Sequence, residues 1–194
     1  RREIGKWYGA DIDRMPVCFE GGEHINNEPA DTSVIDHLDL AGRKFFVGVG
    51  VDSANKNIKT VIDAFQKANL KDAVLVLTGA RDPKVFGHLD IAKSDNVRVA
   101  GFVSDRELRA LYERALALVF PSFYEGFGLP PLEAMNCGCP VIISEQPALL
   151  EVCGDAALHC LAEDAGQIMR HMQALYSDPA LYARLQAAGY QRAQ

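Results

Sequence analysis

The sequence predicts an α/β fold, in which a Rossmann-like parallel sheet carries helices on both faces. From residue 44 onward, short apolar runs alternate with longer segments whose apolar residues recur three and four apart, a pattern typical of βα units. The apolar runs are continuous, which indicates strands covered on both faces. A length of 194 residues with 48% hydrophobic content suits one such domain with additions.

The individual elements follow from local signals. The helix over 58–68 has its apolar side chains on one face. A capping box from Ser104 to Glu107 satisfies two backbone donors and begins a helix through Ala115, and Asp178-Pro179 begins the last helix. The predicted strands are 45–49, 73–78, 97–100, 116–120 and 141–144, and the remaining predicted helices are 84–92 and 131–137.

Residues 1–40 lie outside this alternation. They contain a short amphipathic stretch, an apolar run through 15–19 and polar, turn-forming residues from 21 to 33. The last predicted helix also stops without a C-cap glycine. We therefore expect the chain to be a piece of a longer protein, with 1–40 belonging to a preceding domain and connection and 41–194 forming the α/β domain.

Composition narrows the class of protein. A net charge of -6 and a pI near 5.4, without clustered Lys and Arg, argue against binding of nucleic acid or an anionic membrane. No apolar stretch approaches the roughly 20 residues that span a bilayer. Five cysteines, two of them in an apolar segment, indicate reduced core thiols, and the five histidines lack metal-ligand spacing. We expect a cytoplasmic protein without a metal site.

The segment 121–135 contains the candidate site. It follows a predicted strand and enters a helix, at the edge where α/β sheets bind ligands and where helix amides attract phosphate. Gly126 and Gly128 allow a ligand to approach the backbone. Glu125 and Glu133, the latter expected in the first helical turn, suit sugar hydroxyls or a positively charged sugar carbon. Taken singly, Glu133 also fits a helix-dipole residue, and the glycines fit a tight turn.

Residues 121–122, 125–135 and 137–141 resemble the signature of glycosyltransferase family 4, also called glycosyl transferases group 1. The resemblance extends from about residue 45 to 192. It implies a GT-B architecture of two Rossmann-like domains, in which this mannosyltransferase-like chain provides the C-terminal, donor-binding domain. Residues 1–22 would be the last part of the acceptor domain plus the interdomain connection. Supporting matches are 50–57, 77–79, 99–104, 107–112, 151–152 and 154–155.

The resemblance also implies roles for individual residues. Glu133 would bind the nucleotide ribose, and Glu125 would face the donor sugar near its anomeric carbon. Lys56 would neutralise the diphosphate leaving group, which makes Glu125 and Lys56 the expected catalytic residues. The alternative for Lys56 is a solvated turn lysine. The other expected donor-binding residues are Gly50 and Asn55 on the phosphate side, Gly126, Phe127, Gly128 and Leu129 through their amides, and Phe102, Val103 and Leu108 near the base.

One departure from the family concerns the phosphate site. Family members commonly add an arginine to the lysine, at positions that here hold Val51 and Asn55. An amide stabilises a leaving diphosphate less than a guanidinium does. We therefore expect one phosphate-binding charge of the family to be missing from this site.

The resemblance implies a hexosyltransferase of polysaccharide biosynthesis. It would transfer a sugar, with retention, from a GDP-mannose or UDP-glucose type of donor to a glycan or lipid-linked acceptor, without metal or cofactor. The acceptor would bind through the missing N-terminal domain, which would also bring the protein to the periphery of the inner membrane, and this fragment would be inactive alone. The alternative is a nucleotide-sugar-binding module without turnover. A dinucleotide-binding domain is disfavoured, since Ser53 stands where the third glycine would be needed.

Overall fold

The computed structural model describes residues 2–16, 20–51, 53–79 and 96–194. The strands of this part of the chain are β1 (Lys44–Val49), β2 (Ala73–Thr78), β3 (Val97–Gly101), β4 (Ala117–Phe120), β5 (Val141–Ser144) and β6 (Leu158–Cys160). They form one parallel sheet in the order β3-β2-β1-β4-β5-β6. This order runs outward in both directions from β1, as in doubly wound nucleotide-binding folds.

Helices cover both faces of the sheet. They are α1 (Arg2–Tyr8), α2 (Ser33–His37), α3 (Ile58–Ala68), α4 (Asp105–Tyr112), α5 (Leu129–Asn136), α6 (Pro147–Cys153), α7 (Ala165–Ser177) and α8 (Pro179–Ala193). Side chains of α3 and α7 share one apolar core, and side chains of α2, α4, α5 and α6 share the other. The predicted fold class is confirmed.

Successive residues of β1 divide between the two cores. Phe45 and Val47 point into the core shared with α4 and α5, whereas Phe46 packs in the core with α3 and lies edge-on to Phe65, with ring centroids 6.3 Å apart. Full burial of one such side chain stabilises a fold by roughly 1.5–3 kcal/mol. The continuous apolar run seen in the sequence is therefore the consequence of two covered faces.

Several predicted elements match the structure. The helix over 58–68 and the strands over 73–78 and 141–144 have the predicted bounds, and both hydrogen bonds of the capping box at Ser104 are present. The helix predicted to run through Ala115 ends at Tyr112, and in the turn that follows the backbone amide of Arg114 donates to the carbonyl of Leu111. The predicted helix at 84–92 and most of the run at 15–19 lie outside the described residues.

Three elements between residues 147 and 177 were not predicted. Helix α6 has seven residues and β6 has three, which is too short for a periodic pattern to show. Helix α7 had a usable signal, since Asp164 accepts a hydrogen bond from the amide of Gln167 and caps it.

The segment before β1 packs against the sheet domain. Ile25, Val34 and Leu40 are buried in the core with α4 and α5. The guanidinium of Arg109 donates to the carbonyl oxygens of Asn26 and Glu28, at 3.2 and 2.8 Å. The division at residue 40 stays a prediction, but residues from Ile25 onward contribute side chains to this core. Among the described helices, none is long and apolar enough to cross a membrane.

Candidate functional site

The candidate site lies beyond the carboxyl ends of β1 and β4. These strands are neighbours in the sheet, and the strand order reverses between them, which is where doubly wound folds bind their ligands. The loop after β1 leads to Lys56, and the loop after β4 leads to Glu125. The two loops are joined by a hydrogen bond from the amide of Phe123 to the carbonyl of Asn55, at 2.8 Å.

Lys56 and Glu125 form an ion pair across these loops. The Nζ of Lys56 lies 2.7 Å from Oε1 of Glu125, and the two side chains are 17% and 10% exposed. The ammonium group also lies 4.5 Å from the ring centroid of Phe120, within the range of a cation–π contact. An ammonium has three donors, so this geometry holds Glu125 while leaving Lys56 able to bind an anion.

Gly50 provides the surface on which the Lys56 side chain rests. Gly50 has a φ of 73°, and a Cβ at this position would lie 3.2 Å from both Cγ and Cε of Lys56. Gly79 approaches it from β2, where a Cβ would lie 2.9 Å from the Gly50 amide nitrogen. A side chain at either position would displace the loop that carries the lysine.

Asn55 connects the two loops of the site. Its side-chain amide donates to the carbonyl of Tyr124 at 3.0 Å, and its carbonyl accepts from the hydroxyl of Ser53. The sequence suggested only that this residue could donate to a ligand. The structure adds that its side chain fixes the backbone immediately before Glu125; its part in donor binding stays a prediction.

The start of α5 differs from the prediction. The helix begins at Leu129 rather than at Pro131, with Gly128 as the N-cap at a φ of 115°. A Cβ at Gly128 would lie 2.8 Å from Cδ2 of Leu149, so both backbone angle and space favour glycine. Because Pro130 and Pro131 have no N–H, the donors at this helix start are the amides of Gly128 and Leu129.

Glu133 is therefore in the second turn of α5, and the expectation of a first-turn residue was wrong. Its Oε1 lies 2.9 Å from Nε2 of His24, and the side chains are 13% and 44% exposed. Burial raises the pKa of the Glu133 carboxyl above its ordinary value, whereas the charge and hydrogen bond of His24 lower it. Sequence reasoning missed His24, since its partner is 109 residues away.

The expected base-binding residues follow β3 at the same edge of the sheet. Phe102 is 69% exposed, while Val103 and Leu108 are half-buried against the core with α4. Because parallel strands end on one side, this group shares an edge with Lys56 and Glu125, with β2 between β3 and β1.

The free cysteines in the described part of the chain are all buried. Burial raises the pKa of the thiols of Cys137, Cys153 and Cys160 to about 12, so they stay protonated at neutral pH. No cluster of three His, Cys, Asp or Glu residues with metal-ligand geometry occurs among the described residues.

Comparison with known sequences identifies a protein family that this chain matches. Residues 35–192 match the family described as glycosyl transferases group 1. An O-antigen chain mannosyltransferase B of Escherichia coli is 35% identical over 189 residues, covering 92% of this chain and 50% of that protein. An O-antigen chain mannosyltransferase of Salmonella typhimurium is 35% identical over 168 residues, covering 83% and 44%. The chain thus spans about half the length of these curated relatives.

A solved structure extends the likeness to three dimensions. Sucrose-phosphate synthase from Thermosynechococcus elongatus superimposes with a TM-score of 0.80 at 26% sequence identity, covering 100% of this chain and 51% of that one.

Proposed function

The chain belongs to the glycosyl transferases group 1 family, and from that membership we propose that it is the donor-binding part of a retaining hexosyltransferase. The donor is a nucleoside diphosphate sugar, and the acceptor is a glycan or a lipid-linked glycan held by an acceptor domain. The observation that carries the proposal is the Lys56–Glu125 pair at 2.7 Å, placed where the strand order reverses.

The names of the relatives favour mannose as the transferred sugar. Both O-antigen relatives are mannosyltransferases, and each aligns over more than four fifths of this chain. We therefore put GDP-mannose ahead of UDP-glucose as the donor. A lipid-linked or polysaccharide acceptor is consistent with the same names.

The proposed reaction breaks the bond between the anomeric carbon and the diphosphate oxygen. Lys56, together with the amides of Gly128 and Leu129, stabilises the negative charge that develops on the leaving diphosphate, the task that a divalent ion performs in other transferases. The anomeric carbon becomes positively charged beside Glu125. The acceptor hydroxyl then forms the new bond on the face that the diphosphate leaves, and its proton passes to the departing phosphate oxygen.

A second candidate function is a nucleotide-sugar-binding module that has no turnover of its own. This function is favoured because every residue expected to bind the nucleotide sugar lies within the predicted domain 41–194. Adding an acceptor domain distinguishes the two functions: a transferase then forms product, whose anomeric configuration by proton NMR matches that of the donor. An inverted product would rule out the retaining mechanism.

Calorimetric titration of this chain with GDP, UDP and ADP tests the donor site. We expect GDP to bind most tightly and Glu133→Gln to weaken it roughly tenfold, because a neutral amide replaces a charged hydrogen-bond acceptor. The control is Glu163→Gln, which neutralises an exposed glutamate before α7 and should leave affinity unchanged. Equal binding of all three diphosphates, or equal effects of the two variants, would contradict the assignment.

A further inference from the structure

The two carboxylate oxygens of Glu133 have different surroundings. Oε1 of Glu133 lies 2.9 Å from the imidazole Nε2. Among the described residues, no protein group hydrogen-bonds the second oxygen, Oε2, and the side chain remains 13% exposed. One oxygen is thus engaged with the protein, and the other is available to a ligand.

The backbone around His24 is fixed against α5. A Cβ at Gly22 would lie 3.1 Å from the amide nitrogen of Glu133 and 2.8 Å from Nδ2 of Asn136, so this segment contacts the helix backbone directly. On the other side of His24, the side chain of Ile25 is 2% exposed within the core. The backbone that carries the imidazole is therefore held beside α5, while 44% of the His24 side chain is exposed.

We propose that His24 is a positioning residue for nucleotide recognition, which holds Glu133 ionised and oriented so that Oε2 accepts a hydrogen bond from a ribose hydroxyl. This inference rests on the proposed function, because it requires a nucleotide at Glu133. It assigns a role to a segment that precedes the sheet and that lies outside the residues expected to bind the donor.

The charges around Glu133 make His24 the group that opposes its protonation. Burial raises the pKa of this carboxyl and Asp105 of α4 raises it further, whereas the charge and hydrogen bond of His24 lower it. The other titratable neighbours are neutral: burial raises the pKa of the Tyr112 hydroxyl well above its ordinary value and that of the Cys137 thiol to about 12. His24 itself faces Glu28, Asp105 and Arg106 across a cavity between the 3-10 helix Glu23–Asn26 and α4.

The sign of the pH effect follows from these contributions. An ionised carboxylate is a stronger hydrogen-bond acceptor than a protonated carboxyl group, so nucleotide affinity should fall as the pH drops through the pKa of Glu133. Loss of His24 removes the contribution that lowers this pKa. In a plot of affinity against pH, the fall in affinity on the acid side (the acid limb) should therefore move to higher pH in His24→Ala. It should move less far in His24→Gln, because glutamine retains a hydrogen-bond donor but no charge.

The experiment measures Kd for GDP and for 2′-deoxy- and 3′-deoxy-GDP from pH 4.5 to 8. The proteins are the parent chain, His24→Ala, His24→Gln, Glu133→Gln and, as a matched control, His37→Ala on the exposed face of α2. The deoxy analogue that lacks the hydroxyl bound by Glu133 should bind the parent chain more weakly than GDP does. We expect His24→Ala to weaken the binding of GDP roughly tenfold and to leave the binding of that analogue nearly unchanged, so that the variant no longer prefers GDP to the analogue. Thermal unfolding of each variant reports whether the fold is retained.

The outcomes separate this inference from the proposed function. Equal weakening of GDP and of both deoxy analogues, or an acid limb that does not move, would show that His24 only supports the fold and would overturn the inference. GDP binding that depends on Glu133 but not on His24 would also overturn it while leaving the proposed function intact. A parent chain that binds neither GDP nor UDP would remove both.

Discussion

Replacing Lys56 with alanine is expected to weaken the binding of a nucleoside diphosphate by about 10- to 100-fold, the largest functional effect that a single change in this chain should have. Among the described residues, the ammonium group of Lys56 is the cation that pairs with Glu125 at this site, 2.7 Å from its Oε1. Its removal also leaves Glu125, whose side chain is 10% exposed, without its ion-pair partner. Transfer by the protein with its acceptor domain should fall more steeply, by about 10²- to 10³-fold, because charge on the diphosphate grows in the transition state.

Lys59→Ala is the matched control for Lys56→Ala. Lys59 is exposed in the first turn of α3, three residues along the chain. Titration of both variants with GDP at two salt concentrations distinguishes a direct contact with the diphosphate from an effect of the protein's net charge on affinity. If Lys59→Ala weakened GDP as much as Lys56→Ala, only net charge would matter, and the proposed phosphate contact would be wrong.

Asn57→Ala is expected to lower the free energy of unfolding by about 3–4 kcal/mol. The side chain is 6% exposed, and its Nδ2 donates to the carbonyl oxygens of Pro121 and Ala162, at 3.1 and 2.6 Å. Its Oδ1 accepts from the hydroxyl of Thr60. The substitution leaves two buried carbonyl groups without this donor. It also places alanine at a φ of 58°, a conformation that asparagine tolerates better.

The contributions of the lost hydrogen bonds and of the backbone angle to the loss of stability can be separated with a variant of a second asparagine. Asn69 ends α3 with a φ of 50° and is exposed, so Asn69→Ala should show the backbone cost alone, about 1 kcal/mol. Urea unfolding followed by circular dichroism measures both variants. Equal losses would mean that the hydrogen bonds of Asn57 contribute nothing beyond the backbone angle.

Local signals allowed much of the fold to be predicted. The bounds of α3, β2 and β5 follow from the pattern of apolar residues within each element. The capping box at Ser104 needs only the residues from Ser104 to Glu107. The placement of Glu125 was also predictable, because a glycine-rich loop after a buried strand must lie at one edge of a parallel sheet. Each of these inferences needs only neighbours in sequence and one rule of topology.

Other features depend on packing that the sequence does not display. The contact of His24 with Glu133 joins residues 109 positions apart, and it forms because Gly22 and Ile25 dock on the sheet domain. The start of α5 depends on the left-handed backbone of Gly128, whereas the two prolines after it fit a helix start at either position. Short elements such as β6 carry too few residues to show a period.

The pairing of β1 with β4 has a kinetic consequence. In this register Phe46 aligns with Ala117, so the entropy of closing a long loop opposes the pairing until both segments are largely formed. Lys56 and Glu125 lie on opposite sides of that junction, and their ion pair can form only after the two halves of the sheet have docked. A nucleotide would bind there only in chains in which the two halves are docked and would shift the folding equilibrium towards them by mass action.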